Sequence, residues 1–243
     1  MNFDRIKDFQ ILIVGIVLAF ALIIVAQIVN STFSNKGVTA TGSANKIVTS
    51  DNATWKIEVI AREATKSQSY SKIKASVPIV LNYLRENEIA DEDIEIATPD
   101  SYAIYAINPK NGNSTNEISY YNFSQTITVN SKDVKKIQEL SSDIQNLLDK
   151  GINIDSHAPE YYYSDIASLK IDLLELATKD AKNRANAMLK STHNKVSNIK
   201  SVKMGVFQIT PKTSTEVADW GINDTSTIEK KVTAVANVVF EVK

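Results

Sequence analysis

The sequence predicts an α+β protein: antiparallel sheet(s) with helices packed on one face, a split-βαβ-like core, and one N-terminal transmembrane helix ahead of it. Three observations lead there. Ile11–Val29 is an apolar run without a charge. In the rest of the chain, segments whose apolar residues recur every second position exchange with segments of helical spacing. From Trp55 to Tyr163 the exchange reads β-α-β-β-α-β, the order of split-βαβ sandwiches.

The apolar run comes first. A helix rises about 1.5 Å per residue, so roughly 20 apolar residues cross the hydrocarbon of a bilayer. A cleaved signal peptide would carry about 7–15 apolar residues ending at a small-x-small site. The one such pattern, Ala19-Phe20-Ala21, lies inside the run, with more apolar residues behind it. The run is therefore read as an uncleaved anchor. Arg5 and Lys7 precede it, whereas Lys36 and Lys46 follow at a distance, which favours a cytoplasmic N-terminus. This divides the chain into a cytoplasmic tail at 1–10, a transmembrane anchor at 11–29, a polar linker at 30–37 and an exported α+β domain at 38–243. Localisation follows as the cell membrane, single-pass, with the C-terminal domain extracytoplasmic (periplasmic). Gly15 and Ala19 form a small-xxx-small pair through which two anchors could pack.

Composition narrows the rest. Of 243 residues, about 210 remain outside the anchor, enough for a real core. With 27 basic and 28 acidic residues the formal net charge is -1, so no basic excess draws the chain to nucleic acid. Cysteine is absent, which removes disulfides, thiolate nucleophiles and thiolate metal sites. Only 7 glycines and 5 prolines argue against low-complexity disorder.

Val38–Val48 is rich in β-branched residues and reads as a strand, and Ser50, Asp51 and Asn52 turn the chain. Ala53–Ala61 alternates, with Trp55, Ile57 and Val59 on one face and Lys56 and Glu58 on the other. Thr65 to Asn87 is a helix through Tyr70, Ile73, Val77, Val80, Leu81 and Leu84, with a kink expected at Pro78. Ile94–Ile107 and Ile118–Val129 are strands joined by a loop holding Asn108, Pro109 and Gly112. Ser131 caps a helix from Asp133 to Lys150 whose stripe is Val134, Ile137, Leu140, Ile144, Leu147 and Leu148, and Gly151 ends it. Ile152–Tyr163 is a further strand. The longest helix of the domain, Asp165 to His193, carries Ile166, Leu169, Leu173, Ala177, Ala181, Ala185 and Met188 inward. Alanine at every fourth position permits close backbone approach. Strands Ile199–Ile209 and Ile228–Val242 flank a polar loop, Thr210–Thr227, containing Trp220.

These residues resemble the SIMPL-domain family, which includes periplasmic immunogenic antigens; the chain is similar to a membrane-anchored member. The resemblance rests on Val38-Thr-Ala-Thr-Gly42, on Asp93-Ile94, on Tyr121 leading into Thr126–Val129 with Asp133, Val134 and Gly151-Ile152, and most of all on Tyr161-Tyr162-Tyr163, Ala177-Thr-Lys-Asp-Ala181-Lys-Asn-Arg-Ala185 and Gly205-Val-Phe-Gln-Ile209. The family often has glycine near positions 88 and 194, where this chain has Glu88 and Asn194. The resemblance implies an exported α+β domain tied to the cell envelope, with self-association, and transfers no catalytic residue.

Little in the sequence points to a reaction. His157 and His193 stand in separate elements without HxxxH or HxxE spacing, short of the three or four converging ligands a metal needs. Neither G-x-S-x-G nor a phosphate loop occurs. Asp91-Glu92-Asp93 could offer oxygens to calcium but lacks the alternating spacing and glycine of a calcium loop, and reads as a solvated turn. No catalytic, cofactor-binding or metal residue is therefore assigned, and no cofactor is expected. Tyr102, Tyr105, Tyr120, Tyr121 and Tyr161–Tyr163 are different, because sequence neighbours on a strand point to opposite faces. Some of these rings must line an edge or meet a partner. Trp220 either anchors a partner or pins its loop. The expectation is a membrane-anchored cell-envelope domain that catalyses no reaction. It would act by self-association as a homo-oligomer or by contact with other envelope proteins, held to the membrane via Ile11–Val29. The alternative is an extracytoplasmic ligand-binding or sensing module with a pocket under Thr210–Thr227, working through a membrane partner.

Overall fold

The protein is described from a computed structural model that covers residues 3–33 and 37–243, with side chains described at 13–28 and 37–243. In chain order the elements are α1 (Phe3–Phe33), β1 (Gly37–Thr49), β2 (Asn52–Glu63), α2 (Lys66–Glu86), β3 (Ile94–Ile96), β4 (Asp100–Ile107), β5 (Ser114–Ser131), α3 (Val134–Asp143), β6 (Ile154–Ser156), β7 (Glu160–Tyr162), α4 (Ile166–Leu189), β8 (Val196–Met204), β9 (Gln208–Pro211), β10 (Ile222–Asn223) and β11 (Glu229–Val242). This is an α+β architecture with mixed and antiparallel sheets. It divides into two compact units, one built from Met1–Ser43, Ala177–Met204 and Ala236–Lys243, the other from Ala44–Leu176 and Gly205–Val235.

The larger unit is organised on β2. Its alternation buries Ala53, Trp55, Ile57, Val59 and Ala61 and turns Lys56 and Glu58 the other way, because successive strand residues face opposite sides. β2 pairs antiparallel with β5 from Ala53↔Ser131 to Glu63↔Tyr121. β3 and β4 lie on the far side of β5, and β6 and β7 on the far side of β2. The third strand segment in sequence thus lies between the first and the second. Ile73, Val77, Val80 and Leu84 of α2 and Val134, Ile137 and Leu140 of α3 join the same buried cluster as Trp55, Ile57 and Val59. Both helices therefore cover one face of this sheet. At about 25 cal/mol per Å² of apolar surface, burying side chains of this size supplies the main driving force for the unit. α2 runs through Pro78 without interruption, from a cap in which Thr65 accepts from the Gln68 N–H to Asn87.

In the smaller unit, Gly42 of β1 faces α4. A methyl group there would stand 2.1 Å from the Ala177 carbonyl oxygen and 2.2 Å from the Ala181 nitrogen. Ala177, Ala181 and Ala185 are fully buried, and Asp180 accepts from the Ser43 N–H at 2.9 Å. The alanine spacing and the glycine are two sides of one close approach. β8 pairs antiparallel with β11 here, from Ala236↔Met204 to Val242↔Val196.

Several element boundaries differ from the sequence reading, each for an identifiable reason. The strand expected over Ile94–Ile107 is two, β3 and β4, interrupted before Asp100 at Pro99, which has no N–H for a ladder. Ile152–Tyr163 likewise gives β6 and β7, broken across Pro159. Ile199–Ile209 divides into β8 and β9. Between the pairs Met204↔Ala236 and Gln208↔Thr233 the chain has one residue more than β11, and such an insertion interrupts a ladder. The helix of Asp133–Lys150 is α-helical only to Asp143, and Ile144–Lys150 winds as a 3-10 helix. Gly151 ends it at φ 74°. Leu148 and Met188, expected inside, are exposed. The β9–β10 pair is parallel, unlike the antiparallel sheets expected, because the loop between them carries the chain back before it re-enters. α1 continues to Phe33, through the first residues of the expected linker; Ser34–Lys36 lie outside the described residues.

The described side chains of α1, residues 13–28, are exposed throughout. Among the described residues no helix is long and apolar enough to cross a membrane. The side chains of Ile11, Leu12 and Val29, which complete the expected span, are outside the described set.

Candidate functional site

Residues Trp220–Asp224 of the Thr210–Thr227 segment line one side of a concavity in the larger unit. β9 enters with Gln208 and Ile209 buried. The Gln208 amide then ties the loop down: its Nε2 donates to the Ala218 carbonyl at 2.7 Å, and its Oε1 accepts from the Ala218 N–H at 3.3 Å. Gly221 follows at φ 87°, in the left-handed region open to glycine, and its N–H donates back to Ala218. Lys231 Nζ donates to the Ser214 carbonyl. A loop fastened at both ends thus carries Trp220, which is 86% exposed.

Below it lies a cleft of about 620 Å³, lined among others by Tyr161, Tyr163, Lys170, Phe207, Trp220 and Lys230. Lys170 Nζ stands 5.2 Å from the centre of the Phe207 ring, a cation–π geometry. Tyr161 is buried, and burial raises its phenol above the ordinary value. Tyr162 donates to Glu160 at 2.7 Å; that bond, with burial behind it, raises its phenol too.

The cleft's charged pair is Asp224 and Lys230, with side chains 9% and 3% exposed. Lys230 Nζ donates to the Asp224 carbonyl at 2.6 Å and reaches its carboxylate at 3.4 Å. Thr227 Oγ1 donates to the same carboxylate, as do Ser226 N at 3.0 Å and Ser226 Oγ at 2.7 Å. Burial by itself would raise this carboxyl. The donors from Thr227 and Ser226, with the Lys230 charge, outweigh it and hold Asp224 at about 2. Burial lowers the Lys230 ammonium, and Asp224 offsets part of that. A general acid or base works best with a pKa near the operating pH; these two groups are engaged with each other. Sequence reasoning missed the pair, although a signal was present: along β11, Lys230 falls in the inward register of Val232 and Ala234.

The other sequence candidates scatter. Asp91, Glu92 and Asp93 form a short 3-10 turn in which Asp91 pairs with Arg85 at 2.7 Å. His193 sits at φ 59° beyond the end of α4. His157 comes close to Glu58 and Asp155, one ligand atom of each lying within 4.8 Å of the others. Tyr102 and Tyr105 of β4 are about half exposed, while Tyr120 and Tyr121 are half-buried.

Comparison with protein families decides the kinship. The sequence model of SIMPL, described as a protein of unknown function (DUF541), matches residues 38–240. The chain belongs to the SIMPL family. The match takes in both the cleft and the contact of Gly42 with α4. Comparison with curated proteins finds no match. Of the two positions where the resemblance implied glycine, Glu88 adopts φ 60°, a left-handed turn made without the residue that favours it. At the second, the left-handed residue is His193 rather than Asn194.

Proposed function

We propose that the chain is a membrane-anchored cell-envelope domain that catalyses no reaction and acts by self-association through the Trp220 face, with Ile11–Val29 as its single-pass anchor and the C-terminal domain periplasmic. One observation carries the reading. Trp220 is 86% exposed on a loop that Gln208 and Gly221 hold in place. Tryptophan is the residue type most enriched where binding energy concentrates, and a loop ordered beforehand loses little entropy on association. Val217 on the same loop is also exposed, extending the apolar patch. The apolar, uncharged composition of Ile11–Val29 supports the anchor, and the strand order around β2 supports a split-βαβ-like core.

Light scattering on the full chain in detergent tests this. A dimer or larger assembly that Trp220→Ala reduces to monomer is expected. The chain has two tryptophans, and Trp55 is fully buried, so acrylamide quenching reports Trp220 almost alone and should fall as the assembly forms. A strict monomer at every concentration, with Trp220 fully quenchable, would overturn the reading.

The cleft favours a second reading, an extracytoplasmic ligand-binding or sensing module that works through a membrane partner. A volume of about 620 Å³ is in the range of small-molecule sites. Aromatic walls with Lys170 at one side suit a ring-bearing or anionic ligand. A thermal-shift screen of envelope metabolites without a single stabiliser would remove it.

A further inference from the structure

We infer that the outer face of the β2–β6 pair is a binding site for a divalent first-row transition-metal ion of the zinc class, held by Glu58, Asp155 and His157. Pairing of β6 to β2 places Glu58 directly opposite Asp155. Asp155 and His157 are two apart, hence on the same side of the strand. The His157 N–H donates to the Lys56 carbonyl at 3.0 Å, which extends the pairing and keeps His157 next to Glu58. One ligand atom from each of the three side chains lies within 4.8 Å of the other two.

Two features bear on what this cluster would hold. Like charges directly across a ladder destabilise it, yet among the described residues no lysine or arginine forms an ion pair with Glu58 or Asp155. A cation is the natural complement of that opposition. The third member is an imidazole, which selects zinc, copper, nickel or iron over calcium and magnesium. Metal–ligand bonds of about 2.0–2.2 Å put neighbouring tetrahedral ligands roughly 3.4 Å apart. Rotation of the exposed Asp155 and His157 side chains supplies the remaining approach, and water would complete the coordination. Glu58 is half-buried on the continuous strand β2, so the site has one fixed ligand and two adjustable ones. It lies apart from the cleft, so its fate and that of the proposed self-association are independent.

Titration calorimetry of the full chain with Zn²⁺ tests the inference. Saturable binding near one ion per chain is expected, weakened about tenfold or more by His157→Ala and again by Asp155→Asn. His193→Ala, which removes the other histidine, should leave it unchanged. A hundredfold excess of Mg²⁺ should not compete. Ni²⁺ supplies a second readout, because Trp55 Nε1 donates to Ser156 Oγ at 3.1 Å, and Ser156 stands between Asp155 and His157 in the chain. Ni²⁺ should quench the buried Trp55 in a Trp220→Phe background, and Glu58→Gln should abolish the quenching. No saturable Zn²⁺ binding, or equal affinity in wild type and His157→Ala, overturns the site. So does a loss of binding in His193→Ala as large as in His157→Ala.

Discussion

Replacing Gly42 by alanine probes a close backbone contact in the smaller unit. The added carbon would stand 2.1 Å from the Ala177 oxygen, 2.2 Å from the Ala181 nitrogen and 2.8 Å from Ala181 Cα, whereas ordinary contact begins at 3.4 Å. All three atoms are backbone, so no side chain can swing aside. Strand and helix must part by about 1.3 Å, the difference between 3.4 and 2.1 Å. A gap of 0.5–1 Å already forfeits roughly a quarter to a half of the dispersion well, and here it would run along Ala177, Ala181 and Ala185. The bond from Ser43 N to Asp180 at 2.9 Å stretches with it. Overpacking by one methyl costs about 1–3 kcal/mol where side chains can adjust; a backbone seam should sit at or above the top of that range. A loss of about 3 kcal/mol corresponds to a fall in Tm of roughly 6–12 °C for a chain of this size. Thermal unfolding of the full chain, followed by far-ultraviolet circular dichroism, measures it. Two other glycines calibrate the scale. A methyl at Gly205 would meet Val235 at 3.5 Å, and one at Gly37 would meet Phe240 and Val239 at 3.3 Å. Gly205→Ala should therefore be near neutral and Gly37→Ala intermediate. If Gly42→Ala melts with Gly205→Ala, the close approach is not what holds β1 to α4.

Removing one partner of the Asp224–Lys230 pair should be severe. Asp224→Ala leaves a buried ammonium without its carboxylate and is expected to cost about 3–5 kcal/mol, while the double change Asp224→Ala with Lys230→Met recovers most of it; urea midpoints of the three chains decide. The same carboxylate sets an acid limit. Its folded pKa is depressed, from 3.8 to about 2, so its contribution is whole above pH 4 and is lost as pH falls toward 2. Asp224→Asn should flatten that limb of a stability–pH profile measured by urea titration, and an unchanged limb would contradict the assignment. His193→Gly should gain roughly 0.5–1 kcal/mol by relieving a left-handed residue, less the flexibility glycine adds to the unfolded chain. His193→Val, β-branched, should lose stability in the same melt.

Much of the fold was legible because burial leaves a local trace. Trp55, Ile57 and Val59 alternate, and they are the centre of the larger core. Ala177, Ala181 and Ala185 recur every fourth residue, and all three are buried, Ala177 and Ala181 against Gly42 of β1. Gly151 stands where a left-handed stop is needed. The errors fall where a long pattern conceals an interruption. Ile94–Ile107 looks continuous to a period-two reading, yet Pro99 divides it, and the missing N–H matters only once β5 is the partner.

Neither site could be read in full from the order of residues. The spacing of Asp155 and His157 is local, but Glu58 lies nearly a hundred positions earlier in the chain and joins them only through the β2–β6 register. Lys230 stood in an inward position along β11, but nothing in the sequence says that Asp224, rather than another carboxylate, receives it. The sequence by itself determined the alternation of strands and helices, the face each one buries and the uncharged run at Ile11–Val29, since each depends on neighbours within a turn or two. Which strands lie side by side, that β9 and β10 run parallel, and which side chains meet in the cleft or on the outer face of β2 were decided by tertiary structure. Those depend on register between distant segments, and register is set by the packing of the whole unit, not by any one stretch of it.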